Sequence, residues 1–290
     1  MQRTQVFAKE VTELLKHSPN LAINFNKFIP AYHQHFGRQC RVSSFGLSKL
    51  AELFECIPET VDMVDTEEER VVQLSYSKMV VIVGEQVEQV VRQTSRGRNA
   101  IPLFQLLKDY EKKFGQKLPL ARLEATTIKD VVELLYAWVR LDKGGEMVTV
   151  VDRGLIRTMA RNVRRLLVEQ EDGEMGLQDF FNQMGTQFGC HVDQDVLLRD
   201  LAYMVEVQED RVSLTKVQLV GRDLETMMVE GQGMLVVDLE QLYISKLGRE
   251  IPLDQVGLGS LEELLATLPE VFSVRGRGTR WKLEILATVH

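Results

Sequence analysis

The chain has 290 residues, 44% hydrophobic and 27% charged, with a formal net charge of −7 at pH 7. Those proportions are ordinary for a globular protein, and no apolar run approaches the ~18 residues a membrane span needs. The negative balance excludes a surface coated throughout in phosphate-binding residues, so a polyanion would have to meet local patches.

Such patches exist. Residues 1–50 carry seven Lys/Arg against two acids, whereas 51–69 carry eight acids and no base. The start, MQRTQVFAKEV, places charges where a signal peptide needs an apolar core, so secretion is not expected. Cys40, Cys56 and Cys190 are scattered, form no disulfide framework, and fit a reducing cytosol.

In chain order, Phe7, Val11, Leu14 and Leu15 make an i, i+4, i+7, i+8 stripe that predicts an amphipathic helix, stopped by Ser18-Pro19-Asn20. Phe25, Phe28, Ile29, Tyr32 and Phe36 predict a second helix, with Gly37 placed to end it in a left-handed conformation. A third, capped by Ser43 or Ser44, would present Leu47, Leu50, Ala51, Phe54 and Ile57 and close at Pro58. Alternating residues in 60–64 and 70–74 then predict a two-stranded hairpin. Three helices followed by a hairpin is the order of a winged helix.

The pattern recurs. Adding 211 carries Tyr32 onto Tyr243, Phe36-Gly37 onto Leu247-Gly248, and Ile57-Pro58-Glu59 onto Leu268-Pro269-Glu270. Adding 78 carries Tyr32 onto Tyr110 and Phe36-Gly37 onto Phe114-Gly115, and a further Phe-Gly pair stands at Phe188-Gly189. Paired apolar runs close each copy, at 138–141 and 147–151, 203–207 and 211–215, and 271–274 and 281–285. Four copies are expected, at 1–75, 76–153, 154–216 and 217–290, in a mainly α fold with small β-hairpins (α+β). The third is about nine residues shorter after its glycine, so its third helix is expected to be a stub. With no Gly/Ser- or Pro-rich linker between copies, the array is expected to be semi-rigid.

FNKFIPAYHQHFGRQC followed by FGLSKLAELFECIPETV resembles a LOTUS, or OST-type helix–turn–helix, domain. The tandem arrangement is most similar to the arrays of the meiosis regulator and mRNA stability factor (limkain-like) family. The resemblance implies a binding module of germline RNA regulation that acts on mRNA, including G-rich or structured RNA, in the cytoplasm or in germline RNA granules. It also implies an alternative: a protein-interaction scaffold docking an RNA helicase or a deadenylase-complex subunit.

Candidate RNA contacts follow from basic residues near corners and turns, since Arg and Lys bind phosphates and aromatic rings stack unpaired bases. In the first copy they are Lys27, Arg38, Arg41 and Lys49; Tyr32, on the apolar stripe, reads as core. The second, the only net-basic copy (13 bases, 10 acids over 76–153), offers Arg96, Arg98, Lys112, Lys113 and Lys117. The last hairpin offers Arg275, Arg277 and Arg280, with Trp281 expected in the core. Arg157, Arg161 and Arg164 share a helix face and read as a solvated row.

Duplex-DNA reading by the third helix ranks last, because Glu52, Glu55, Glu262 and Glu263 would face phosphates. His33 and His35 point about 200° apart on a helix and have no third ligand, so no metal or other cofactor is expected. Gly257-Leu258-Gly259-Ser260 lacks the third glycine of a dinucleotide fingerprint and reads as a helix start. With no positioned nucleophile–base pair or carboxylate cluster, the chain is expected to be no enzyme and to have no small-molecule substrate.

Overall fold

The computed structural model describes residues 2–66, 69–95, 97–228, 234–275 and 282–285, without the side chains of Gln2, Val274 and Arg275. The chain divides into two compact units, residues 1–151 and 152–290.

In the first unit the chain runs α1 (Gln2–Lys16), β1 (Ala22–Asn24), α2 (Phe28–Phe36), α3 (Leu50–Glu55), β2 (Val61–Asp65) and β3 (Arg70–Leu74). The plan then repeats as α4 (Tyr76–Thr94), β4 (Ala100–Pro102), α5 (Leu103–Phe114), α6 (Ile128–Leu134), β5 (Val139–Leu141) and β6 (Met147–Val150). The second unit contains α7 (Arg153–Val168), β7 (Glu174–Gly176), α8 (Leu177–Phe188), β8 (Val205–Gln208) and β9 (Arg211–Leu214). It continues with α9 (Lys216–Met227), β10 (Met234–Leu235), α10 (Val236–Leu247), α11 (Leu261–Ala266), β11 (Phe272–Arg275) and β12 (Lys282–Ile285).

The paired strands form as the alternation predicts, but each hairpin gains a third member. Four antiparallel sheets have the orders β1-β3-β2, β4-β6-β5, β7-β9-β8 and β10-β12-β11. The short strand before the second helix of each repeat pairs with the wing's returning strand, as in Ala22 opposite Gln73 and Ala100 opposite Thr149. With β1 and β4 only three residues long, alternation alone cannot reveal them.

The second helices end where a glycine turns left-handed: Gly37, Gly115, Gly189 and Gly248 all have φ between 58° and 68°, and each amide returns to the carbonyl four or five residues back. The third helices begin later than expected. Residues Val42–Phe45 make a separate 3-10 turn, so neither Ser43 nor Ser44 caps α3. Instead the amides of Ser48 and Lys49 donate to the Glu52 carboxylate, both at 3.2 Å. In the next repeat Thr126 and Thr127 donate to Asp130, and in the last Gly259 donates to Glu263 while Ser260 accepts from its amide. The Gly257–Ser260 segment is thus a helix start. In the third repeat the third helix shrinks to one π-type turn, Val196–Asp200.

Burial drives this packing. Phe7, Phe28 and Phe54 bring the three helices of the first repeat together, the last two edge to face at 4.9 Å. In residues 1–151 one apolar cluster runs from Phe7 through Val87 and Tyr110 to Val148. Residues 152–290 hold two clusters, Ala160–Leu214 and Val220–Leu283.

Candidate nucleic-acid interface

The second helix of each repeat packs against the first, and the first helices carry a small residue at one matching position: Ala8, Gly84, Ala160 and Gly221. Two positions later stand Glu10, Gln86, Asn162 and Asp223, opposite Tyr32, Tyr110, Met184 and Tyr243. The tyrosine hydroxyl donates to Glu10 at 2.5 Å, to Gln86 at 2.6 Å and to Asp223 at 3.2 Å; Met184 has no hydroxyl to donate. All three tyrosines are core residues, as the apolar stripe predicts. Burial, then the neighbouring Glu10 carboxylate, raises the Tyr32 phenol well above its ordinary value. The same two causes push the Cys40 thiol up to about 11.

This crossing engages one candidate directly. Arg38 pairs with Glu10 and lies 5.7 Å from the Tyr32 ring centroid. Arg249 repeats the arrangement, with Nη2 2.9 Å from Asp223 and its guanidinium 6.0 Å from the Tyr243 ring. Both arginines therefore hold a helix pair together at the protein surface. Arg249 was readable from the sequence, since the 211-residue shift carries Arg38 onto it.

Arg41 and Lys49 lie on the same connector between α2 and α3, exposed and, among the described residues, without an ion pair. Lys27 is exposed at the opposite end of α2. A nine-residue helix separates the two ends by about 13 Å. Lys112 in the last turn of α5 and Lys117 just beyond it are exposed, where cations also complement the helix C-terminus. Lys113 turns inward: its Nζ is buried without a hydrogen-bond partner, 5.3 Å from the Phe114 ring, and burial lowers its pKa. Arg98 is exposed in the loop between α4 and β4, beyond the far end of α5. Arg96, Arg277, Arg280 and Trp281 lie outside the described residues; Arg275 ends β11, its side chain outside them as well.

The expected solvated row on α7 is only partly solvated. Arg157 and Arg161 are exposed, but Arg164 is buried, donating to Gln218 at 2.9 Å and to Glu225 at 2.8 Å. Its partners lie 54 and 61 residues away, so spacing along one helix could not identify it. Arg122 is a half-buried cation the sequence did not flag. It donates to the carbonyls of Asn20 (2.5 Å), Leu21 (3.3 Å) and Leu74 (2.7 Å), fastening the second repeat to the first.

A groove of about 440 Å³ beside α1 and α4 is lined by Glu13, His17, Glu88, Arg92 and Phe114. Its charges are largely spent on each other, as in His17–Glu13 (3.0 Å) and Arg92–Glu88 (2.9 Å), which leaves little to orient a small ligand. Among the described residues no three His, Cys, Asp or Glu side chains are placed to hold a metal ion, and no helix is long and apolar enough to cross a membrane.

Comparison with known proteins agrees with this architecture. The OST-HTH/LOTUS domain model matches residues 2–73 and 218–282. Meiosis regulator and mRNA stability factor 1 of Xenopus tropicalis is 28% identical over 304 residues, covering 96% of this chain and 18% of that protein. The Gallus gallus protein of the same name is 28% identical over 296 residues and the Bos taurus one 27% over 298, each covering 96% of this chain and 17% of the relative. The chain thus spans under a fifth of the length of the curated relatives it matches. With its four helix-and-sheet repeats among the described residues, the chain carries OST-HTH/LOTUS domains at residues 2–73 and 218–282 and is homologous over 96% of its length to the meiosis regulator and mRNA stability factors.

Proposed function

We propose that this chain is an RNA-binding segment of a post-transcriptional regulator, holding mRNA so that it can be repressed or degraded, and performing no chemistry itself. The observation that carries this reading is the set of exposed cations, without ion pairs among the described residues, at the ends of the second helices and on the loops beside them: Lys27, Arg41 and Lys49, then Arg98, Lys112 and Lys117. Homology to proteins named as mRNA stability factors supports it. Phosphates would meet these side chains, and unpaired or G-rich bases would supply preference. Arg38 adds charge at the same corner while serving its helix pair, and Arg275, Arg277 and Arg280 extend the proposal to the last wing. We place the action in the cytoplasm, including germline RNA granules, and the four repeats at 1–75, 76–153, 154–216 and 217–290.

Fluorescence anisotropy of labelled G-rich and unstructured RNA, titrated with the 290-residue chain at rising salt, tests this. Micromolar or tighter binding is expected, losing about 0.7 log units per log unit of salt for each phosphate neutralised. Changing Arg275, Arg277 and Arg280 together to Ala should weaken it. No binding at low salt overturns the reading. The eight acids within 51–69 favour a second reading, a scaffold docking an RNA helicase or deadenylase-complex subunit. Under that reading, retention of such a protein by the chain would survive nuclease treatment.

A further inference from the structure

Phe104 stands 80% exposed on the first turn of α5, the most open large apolar side chain among the described residues. Burial does not explain it. Counting six residues back from Tyr32, Met184 and Tyr243, the matching positions are Asn26, Gln178 and Val237, all exposed. The fold therefore asks for no aromatic here.

Two lysines share the helix face that carries the ring, with Glu111 in line at i+7. Lys108 and Lys112, at i+4 and i+8, fall within about 80° of Phe104 around the helix, one turn and two turns along it. Both are exposed, and among the described residues neither makes an ion pair. Their counterparts elsewhere are Pro30, Asn182 and Gln241, and Gln34, Thr186 and Ser245, so the lysines belong to this repeat alone. The wing turn closes toward the same end of α5, because the Leu103 amide donates to the Glu146 carbonyl at 2.8 Å. That turn carries exposed Lys143, and Lys129 Nζ lies 3.5 Å from where a Cβ on Gly145 would stand. A protein-docking helix would continue the apolar face. Here only Leu107 joins Phe104 before Lys108, Glu111 and Lys112 take over.

We propose that Phe104 is a stacking platform for an unpaired base of single-stranded RNA, with Lys108 and Lys112 receiving the adjoining phosphates. An open ring beside exposed lysines is how sequence-tolerant single-strand sites are built. The proposal rests on the RNA-binding reading above and deepens it by naming a base contact.

The test uses the whole 290-residue chain with a labelled 12-nucleotide oligoadenylate and an abasic backbone of equal length. Phe104→Ala should weaken binding to oligoadenylate about tenfold, leave the salt slope unchanged, and leave abasic binding unchanged. Phe104→Trp should keep the affinity, and the emission added by the new indole should be quenched on binding. Lys108→Ala with Lys112→Ala should lower the salt slope by about 1.4. If the parent chain binds and Phe104→Ala binds equally tightly, or the emission of the Phe104→Trp chain does not move, the platform is refuted while RNA binding stands. If the parent does not bind, the reading beneath the proposal fails and the platform with it. Loss of a co-purifying protein from Phe104→Ala at unchanged RNA affinity assigns the face to protein and also refutes the platform.

Discussion

Residues 1–151 and residues 152–290 each join two repeats of one plan, yet by different chemistry. In the first unit a single apolar core passes through both repeats, and Arg122 of the second repeat reaches three backbone carbonyls of the first. In the second unit the buried apolar clusters stay separate, with Leu219 of the fourth repeat packed against the third, and directed hydrogen bonds complete the joint: Arg164 reaches Gln218 and Glu225, while Arg222 donates to the carbonyls of Gln170 and Glu171, each at 3.2 Å. Apolar contact tolerates small shifts, whereas a buried guanidinium needs its partners in place. The same repeat can thus be coupled through volume or through directed hydrogen bonds.

The largest expected effect falls on the polar joint. Arg164→Ala leaves Gln218 and the Glu225 carboxylate short of their donor and should cost about 3 kcal/mol in urea denaturation, with Glu225 partly solvated. Arg164→Met should recover much of this. Arg122→Ala should cost about 2 kcal/mol, because the apolar core beneath remains. Equal costs and equal rescue at the two sites would remove the distinction.

The glycines of the first helices sharpen the comparison at smaller scale. A Cβ on Gly84 would overlap the Trp138 indole, whereas one on Gly221 would meet only the end of Leu268, 2.9 Å away. Gly→Ala inside a helix ordinarily stabilises by ~1 kcal/mol. At Gly84 that sign should reverse to a loss of about 2 kcal/mol, since a ring wedged against helix backbone cannot yield. At Gly221 the change should stay within about 1 kcal/mol of neutral. Thermal melts of the two variants compare them directly.

The smallest effect concerns helix starts. The Thr126 and Thr127 donors around Asp130 lower its carboxyl from 3.8 to about 2. A lowered folded value contributes stability that is present above about pH 4 and is lost as the pH falls toward 2. The difference in Tm between the parent and Asp130→Asn should therefore be seen at pH 7 and shrink steadily as the pH falls from about 4 through about 2. Glu52 is lowered in the same direction by the Lys49 and Ser48 amides. In the third repeat, where a π turn replaces this helix, the Asp193 carboxylate just before the turn accepts the Val196 amide at 3.0 Å.

Much of this fold was legible in the chain because the strongest signals were local. Apolar stripes at helical spacing, glycines that must turn left-handed, and alternating wing strands each report on residues a few positions apart. What stayed hidden depends on partners far along the chain. The strands β1 and β4 are too short to alternate and exist because β3 and β6 supply their hydrogen bonds. Ser43 looked like a cap, but the carboxylate that starts α3 belongs to Glu52, four residues beyond Ser48. Arg164 resembled its neighbours Arg157 and Arg161 until folding brought Glu225 beside it. Among the candidate cations Arg41, Lys49, Lys112 and Lys117 are exposed, as residue type suggests, whereas the Lys113 ammonium turns under Phe114.

Ultraviolet crosslinking of bound RNA to the 290-residue chain, with the linked peptides identified by mass spectrometry, tests the central claim most directly. The account predicts crosslinks on the peptides spanning 38–49 and 98–117, fading together as salt rises. Crosslinks confined to the acid-rich stretch 51–66, or absent at low salt, would contradict it.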